Sequence, residues 1–262
     1  TGFVYPEETL RNIVRIAKEN DLFLVFDETY INIVYNGKKT VPLSDIVGDV
    51  PAISMKGISK ELPWPGSRCG WMEVYNSGRD PIFDRFINTI LHQKMSEVCS
   101  TTLPQLAIPR IMTHPEYYNY LDERRKHYEK LSNIAYNILK DVPCLMVNKT
   151  DGAFYMTIVF NESGLNSNQT LHIKNKDVRE FVENLVKEPI EHDKRFVYYL
   201  LAATGICVVP LTSFFTSLLG FRMTLLDKDE AEFEHTVKTI AEKFTEYTNS
   251  SGKGIQTAIN LS

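Results

Sequence analysis

Residues 22–27 constrain the fold more than any other stretch of the chain. Leu22-Phe23-Leu24-Val25-Phe26 is an unbroken apolar run that stops at Asp27. Five apolar residues without alternation suit a strand covered on both faces, the condition of a parallel strand. An amphipathic helix is expected immediately before it. Pro6 suits a first helical turn and Glu7 and Glu8 suit its dipole. Leu10, Ile13, Val14 and Ala17 follow at helical spacing, and Glu19-Asn20-Asp21 closes the segment. A helix followed by a buried strand is the grammar of an α/β fold. Further strands are expected at 52–58 and, beyond a loop rich in proline and glycine, at 69–75.

From Asp80 to about Val142 the pattern is helical. Ile82, Phe83, Phe86, Ile87 and Ile90 share one face, and Pro104, Pro109 and Pro115 are expected to divide the region into separate helices. A long charged helix is expected over 123–139, with Tyr128, Leu131, Ile134, Ala135 and Leu139 as its apolar seam. Such a helix suits a bridge between two domains. After Pro143 the pattern changes: a strand at 153–160, a polar surface loop at 161–170, helices at 176–186 and 193–204, and short strands at 206–209 and 221–226. A last helix begins near Asp227, with Phe233, Val237, Ile240, Ala241 and Phe244 inward. The expected organisation is therefore a first domain over 1–142, a smaller α/β domain over 143–250, and a frayed polar tail over 251–262.

The bulk numbers exclude more than they assign. The chain has 262 residues, 43% of them hydrophobic, so a packed core is expected rather than disorder. Its formal charge of −4 is spread among mixed acids and bases, with no basic block that would mark a nucleic-acid surface. Cys69, Cys99, Cys144 and Cys207 are far apart and form no metal-ligand spacing. Buried free thiols in the reducing cytoplasm are expected of them, and no metal site. Asn148, Asn161, Asn168 and Asn249 open glycosylation-like triplets, which arise by chance in a chain without a signal peptide. No apolar stretch reaches the roughly 18 residues of a membrane span.

Chemistry gathers at the ends of the expected strands. Asp27-Glu28-Thr29-Tyr30 ends the first, while Ser59 and Lys60 follow the second, and Arg68 comes eight residues after Lys60 within Gly66-Ser67-Arg68-Cys69-Gly70-Trp71. In open α/β sheets ligands bind beyond the carboxyl ends of the strands. A carboxylate, a phenol, an amine and a guanidinium there are the set needed to hold pyridoxal 5'-phosphate. The amine takes its aldehyde, the guanidinium its phosphate and the carboxylate its ring nitrogen. A lysine near other cations in a partly dry site loses proton affinity and becomes nucleophilic. Gly66 and Gly70 would let the backbone approach closely. Taken singly, each residue has an ordinary reading: Asp27 a helix cap or loop acid, Lys60 a solvated lysine, Arg68 a surface ion pair.

Together, these segments resemble the class I pyridoxal-phosphate aminotransferases over nearly the whole chain. Thr1-Gly2 resembles the end of that family's Asn-Pro-Thr-Gly loop, and Asp27-Glu28-Thr29-Tyr30 its Asp-x-x-Tyr. Ser59-Lys60 with Gly66-Ser67-Arg68-Cys69-Gly70-Trp71 resembles its Ser-Lys and Gly-x-Arg-x-Gly-Trp block. Gly152-Ala153-Phe154-Tyr155 resembles the start of its small-domain strand, and Phe221-Arg222-Met223 the segment that grips the substrate carboxylate. The resemblance implies a partial large cofactor-binding domain, mostly parallel sheet with helices, followed by a smaller carboxyl-terminal α/β domain. It implies that Lys60 holds the cofactor aldehyde and moves the α-proton, that Asp27 faces the ring nitrogen and Tyr30 the ring oxygen, and that Ser59 and Arg68 bind phosphate. Arg222 would clamp the α-carboxylate, unless it pairs with acids of the last helix. The implied reaction is ping-pong transfer of an amino group from an amino acid to a 2-oxo acid, in a cytoplasmic homodimer.

Two positions depart from the pattern. Gly57 stands three residues before the lysine, where many members place serine, and Leu211 follows Val208-Val209-Pro210 where many have glycine. The family's Gly-rich phosphate loop and ring-stacking aromatic residue have no counterpart between Thr1 and Ser262. The chain therefore reads as a carboxyl-terminal portion, expected neither to fold normally as a monomer nor to transaminate by itself. A β-elimination lyase, the aminotransferase-like effector domain of a transcription regulator and a noncatalytic remnant stay open on the same residues.

Overall fold

A computed structural model describes residues 1–161 and 164–250. They divide into two compact units. The first holds Phe3–His127 with Asp151–Ala153; the second holds Thr1–Gly2, Tyr128–Thr150 and the chain from Phe154 onward. The expected tail at 251–262 lies outside the described residues. No helix among the described residues is long and apolar enough to cross a membrane.

The first unit opens with helix α1, Glu7–Glu19, whose exposed side carries Glu7–Arg11 and Arg15–Glu19 pairs one turn apart. Its other side presents Val14 and Ala17 to a core with Leu43, Ile46, Val47, Val50 and Ala52. Strands β1, Leu24–Asp27, β2, Ala52–Gly57, and β3, Gly70–Tyr75, form a sheet in that order. β1 pairs parallel with β2, and β2 antiparallel with β3. Side chains alternate between faces along a strand. Leu24, Phe26, Ala52 and Tyr75 therefore turn toward the α1 core, while Val25, Met55, Met72 and Val74 turn the other way.

The apolar run at 22–26 is thus not covered on both faces as expected. Val25 is 49% exposed, and Met55, Met72 and Val74 are exposed with it. Among the described residues that face is covered only in part by α2, Pro81–Met95, whose Phe83 and Phe86 rings lie 5.4 and 5.3 Å from the ring of Phe23. Asp80 caps α2 by accepting from the N–H of Ile82 at 2.7 Å, with Pro81 in the first turn. Helix α3, Thr102–Met112, contains both Pro104 and Pro109, against the expectation that each would break a helix. Pro104 falls in the first turn, where its missing N–H has no intrahelical acceptor to lose. Pro109 removes one bond from an exposed helix without ending it.

Helix α4, Tyr117–Leu139, starts six residues earlier than its charge pattern suggested. In the second unit, strands β4, Leu145–Val147, β5, Tyr155–Phe160, β6, Val209–Pro210, and β7, Gly220–Thr224, form an antiparallel sheet ordered β4-β5-β7-β6. Helices α5, Lys176–Leu185, α6, His192–Thr204, and α7, Glu230–Asn249, complete it. The core is aromatic: Phe160 lies 5.6 Å from Phe196 and 4.9 Å from Phe244, and Phe196 lies 5.2 Å from Tyr247. β4 is too short to have been legible in the sequence, and the expected strand at 206–209 shrinks to Val209–Pro210. The loop read as surface is also not wholly so. Gln169 is fully buried: its side-chain amide donates to the carbonyl of Gly164 at 2.6 Å, its side-chain carbonyl accepts from the Asn166 N–H at 3.0 Å, and its backbone carbonyl accepts from Arg195 at 3.1 Å. All four cysteines are free, but none is buried as expected: Cys69 and Cys144 are half-buried, and Cys99 and Cys207 are exposed because each lies in a connection between elements.

Candidate active site

The sheet of the first unit explains how distant parts of the sequence meet. β1 and β2 run parallel with Asp27 beside Met55, so both chains leave the sheet at the same end. β3 begins at Gly70 opposite Gly57, so Arg68 enters the sheet at that end too. Asp27, Tyr30, Ser59, Lys60 and Arg68 therefore lie just beyond one end of one sheet. The Lys60 amine lies 5.8 Å from the centroid of the Tyr30 ring. Asp27 is exposed, and its carboxylate accepts from the Thr29 N–H at 3.0 Å and from the Thr29 hydroxyl. Arg68 ends a short 3-10 turn over Pro65–Ser67 in the left-handed conformation, φ 51° and ψ 44°. Its guanidinium donates to the Pro65 carbonyl at 3.2 Å, and it enters no ion pair with a carboxylate among the described residues. That removes the surface ion pair as its ordinary reading. A side chain at Gly70 would meet the Lys56 carbonyl at 2.8 Å, so glycine is what allows β2 and β3 to close up here.

Behind these residues, on the opposite face of the sheet, lies a polar network that the sequence alone did not disclose. Glu28, only 7% exposed, accepts from the Leu43 N–H at 2.6 Å and the Ser54 hydroxyl at 2.5 Å, with the Lys56 amine at 3.6 Å. Lys56 also pairs with Glu73 at 2.9 Å, and the Tyr75 hydroxyl donates to Glu73 at 2.7 Å. Burial works against the Lys56 charge, but the bond from Lys56 to Glu73 and the charges of Glu73 and Glu28 outweigh it and raise its pKa. Burial likewise pushes Glu73 up, yet its bonds from Tyr75, Lys56 and Trp71 leave it below the usual carboxylate range. The signal was present as Ser54 and Lys56 alternating within an apolar strand, but it needed the sheet register to be read. Glu28 fastens the turn that follows Asp27. Glu28→Ala strands the buried Leu43 N–H and Ser54 hydroxyl, and is expected to cost about 2 kcal/mol in urea unfolding of the full-length protein.

In the second unit, Arg222 sits on β7 opposite Thr157 of β5 and Val209 of β6. Its guanidinium carbon lies 4.4 Å from the Tyr155 ring centroid and 4.2 Å from that of Phe214. Two rings hold a planar cation by stacking while leaving its N–H edges for hydrogen bonding. Among the described residues no carboxylate forms an ion pair with Arg222; of the acids of α7, Glu230 pairs with Lys130, Glu234 with Lys238 and Glu246 with Lys243.

Residues 1–240 match the family described as aminotransferase class I and II. The chain belongs to this family. An uncharacterized aminotransferase of Methanocaldococcus jannaschii is 53% identical over 94% of this chain, and a tyrosine aminotransferase of Caenorhabditis elegans is 33% identical over 72%. Among solved structures, an Escherichia coli aminotransferase superposes with a TM-score of 0.77 over 95% of the chain at 22% identity. An alanine aminotransferase of Pyrococcus furiosus gives 0.73 over 94% at 25% identity. The chain spans about half the length of the relatives it matches: 57% of the archaeal protein, 38% of the nematode one and 55% of each solved chain. The fold is the α/β fold of the aminotransferases.

The residues gathered in the first unit fit pyridoxal phosphate by their donor set. Among the described residues they offer an acid whose hydrogen bonds come from its own turn, an amine beside a phenol, and a guanidinium in no ion pair, at a sheet end where Gly70 lets two strands approach closely. A cofactor with a basic ring nitrogen, an aldehyde and a phosphate has a complement for each.

Proposed function

We propose that this chain is the carboxyl-terminal portion of a pyridoxal-phosphate-dependent aminotransferase that acts on an amino acid and a 2-oxo acid. The observation that carries the reading is the convergence of Asp27, Tyr30, Lys60 and Arg68 at one sheet end in a member of this family. Residues 1–142 are assigned to the large domain and 143–250 to the small one. A homodimer in the cytoplasm is the assembly and location we assign to the complete protein.

When bound, pyridoxal phosphate supplies an aldehyde that takes up the amino group and a ring that draws electrons from the substrate Cα–H bond. Asp27 would keep the ring nitrogen protonated, since an anion beside it favours the charged form. Tyr30 would donate to the ring oxygen. Arg68 would offer two N–H groups to phosphate oxygens, joined by the Ser59 hydroxyl. Lys60 would take the proton from the substrate Cα and return it to the neighbouring carbon. Arg222, in contact with the Tyr155 and Phe214 rings, would bind the α-carboxylate through a pair of parallel hydrogen bonds. Arg222→Lys keeps the charge but loses the fork and the stacking. It is expected to raise KM for the amino acid by about 30-fold with a smaller change in kcat, read from initial rates.

The test is a half-reaction. The full-length protein with pyridoxal phosphate is mixed with one amino acid at a time and no 2-oxo acid. One equivalent of 2-oxo acid per site, with the visible absorbance restored by adding a different 2-oxo acid, supports the reading. Continuous release of ammonia would identify a lyase instead. The absence of any spectral response across the common amino acids would remove the enzyme reading.

A further inference from the structure

Glu61 directly follows Lys60, and both of its carboxylate oxygens are engaged by one residue. Oε1 accepts from the backbone N–H of Asn32 at 3.0 Å, and Oε2 accepts from Asn32 Nδ2 at 3.1 Å. Asn32 stands two residues after Tyr30 and Glu61 one residue after Lys60. The contact therefore ties together the two loops that carry the phenol and the amine. Each loop is also closed on itself: the Ile33 N–H donates to the Tyr30 carbonyl at 2.9 Å, and the Trp64 N–H to the Ile58 carbonyl at 3.3 Å. With both loops closed locally, the bidentate contact is a two-point hydrogen-bonded tie from one to the other, beside the contact of the Lys60 amine with the Tyr30 ring. On the far side of Glu61 stands buried Tyr117, its pKa pushed up to about 12 by burial and by the Glu61 carboxylate. Burial raises Glu61 above the usual carboxylate range, against the lowering effect of its bonds from Asn32.

A lysine amine rides on a flexible four-carbon stem and carries much rotamer entropy. Where it can reach depends on where its backbone is fixed. We infer that Glu61 is a positioning residue for Lys60: its two-point clasp on Asn32 fixes the distance between the Lys60 amine and the Tyr30 phenol. This rests on the reading of Lys60 as the residue that holds the cofactor aldehyde and moves the α-proton. A loosened clasp leaves the amine present but misplaced, and misplacement by about 1 Å can cost on the order of 100-fold in rate.

The partners can be exchanged to test this. Asn32→Asp sets two carboxylates face to face and breaks the side-chain bond. Adding Glu61→Gln restores it with donor and acceptor reversed, at the same total charge. In the full-length protein, Asn32→Asp is expected to lower kcat about 30-fold with KM for the amino acid changed by less than about threefold. The double variant Asn32→Asp/Glu61→Gln is expected to return kcat to within about threefold of the starting protein. A second readout needs no cofactor: the acetylation rate of Lys60 by acetic anhydride, followed by peptide mass spectrometry. It is expected to change severalfold in Asn32→Asp and to return in the double variant. If Asn32→Asp fails to fold, Asn32→Ala, which keeps the Glu61 charge and the backbone bond, is read instead and should lower kcat about tenfold. A wild-type kcat and Lys60 reactivity in the single variants, or no recovery in the double variant, would overturn the clasp. Lys60→Ala distinguishes the two levels. Full turnover in that variant sinks the reading of Lys60 itself, whereas a dead Lys60→Ala beside unaffected Asn32 variants sinks only the clasp.

Discussion

Lys60→Ala in the full-length protein is expected to lower amino transfer by roughly 10³-fold, about 4 kcal/mol of lost transition-state stabilisation, and to change the visible spectrum of the protein with pyridoxal phosphate. The size of the effect follows from what the amine is asked to do. A positioned acid–base group is worth about 10² to 10⁴ in rate, and no other amine stands over the Tyr30 ring among the described cation–ring contacts. The effect on folding should be small. Lys60 lies in a loop beyond β2, half-buried, and its side chain belongs to neither hydrophobic core. Loss of rate with an unchanged melting temperature is therefore the expected combination. If an added small amine restores part of the rate, the missing group is the proton carrier rather than a structural contact. Turnover and spectrum both unchanged would take Lys60 out of the site.

How the sequence led to this point depends on which physical signals are local. The ends of β1 and β2 were legible because an apolar run stops abruptly at a charged or small residue, and the sheet geometry brings such ends together. The same logic placed Asp27, Lys60 and Arg68, though not what stands behind them. Glu28 meets Ser54 and Leu43 through a parallel pairing whose register no local pattern states. Glu61 meets Asn32 across 29 residues, through two loops with no periodicity. The proline expectation failed at Pro104 because it sits in a first turn, and at Pro109 because α3 continues past the one bond it removes. The surface reading of 161–170 failed at Gln169 because a polar side chain can be buried once its amide and carbonyl are both used, here by Gly164 and Asn166, and composition does not report that.

Gly220→Ala is expected to destabilise the protein by about 3 kcal/mol or more, lowering its melting temperature by roughly 6–12 °C. Gly220 opens β7 with φ at +155°, a conformation that L side chains rarely adopt. A Cβ built there would lie 2.1 Å from the Ile158 carbonyl oxygen and 3.0 Å from the Val159 Cα, both backbone atoms of the paired strand β5. Backbone in the centre of a sheet cannot step aside without breaking its ladder, so relief would have to come from a local loss of pairing at the start of β7. The third neighbour is the side chain of Leu211, whose Cδ1 would be 2.9 Å away. Leu211, one of the two departures from the resembled pattern, is buried. The two positions are therefore complementary: a bulky residue after Pro210 is accommodated because residue 220 has no side chain. Adding Leu211→Gly to Gly220→Ala removes only the side-chain contact and leaves the clash with the Ile158 carbonyl. Thermal unfolding of both variants checks this, with the double variant expected to recover only a minor part of the loss. Because Arg222 lies two residues along the same strand, against Tyr155 and Phe214, the displaced pairing should also reach the carboxylate site proposed for it. A raised KM in Gly220→Ala, at a temperature where the variant is folded, is the expected sign of that link. A melting temperature within about 2 °C of the unaltered protein would show that β7 can shift without cost.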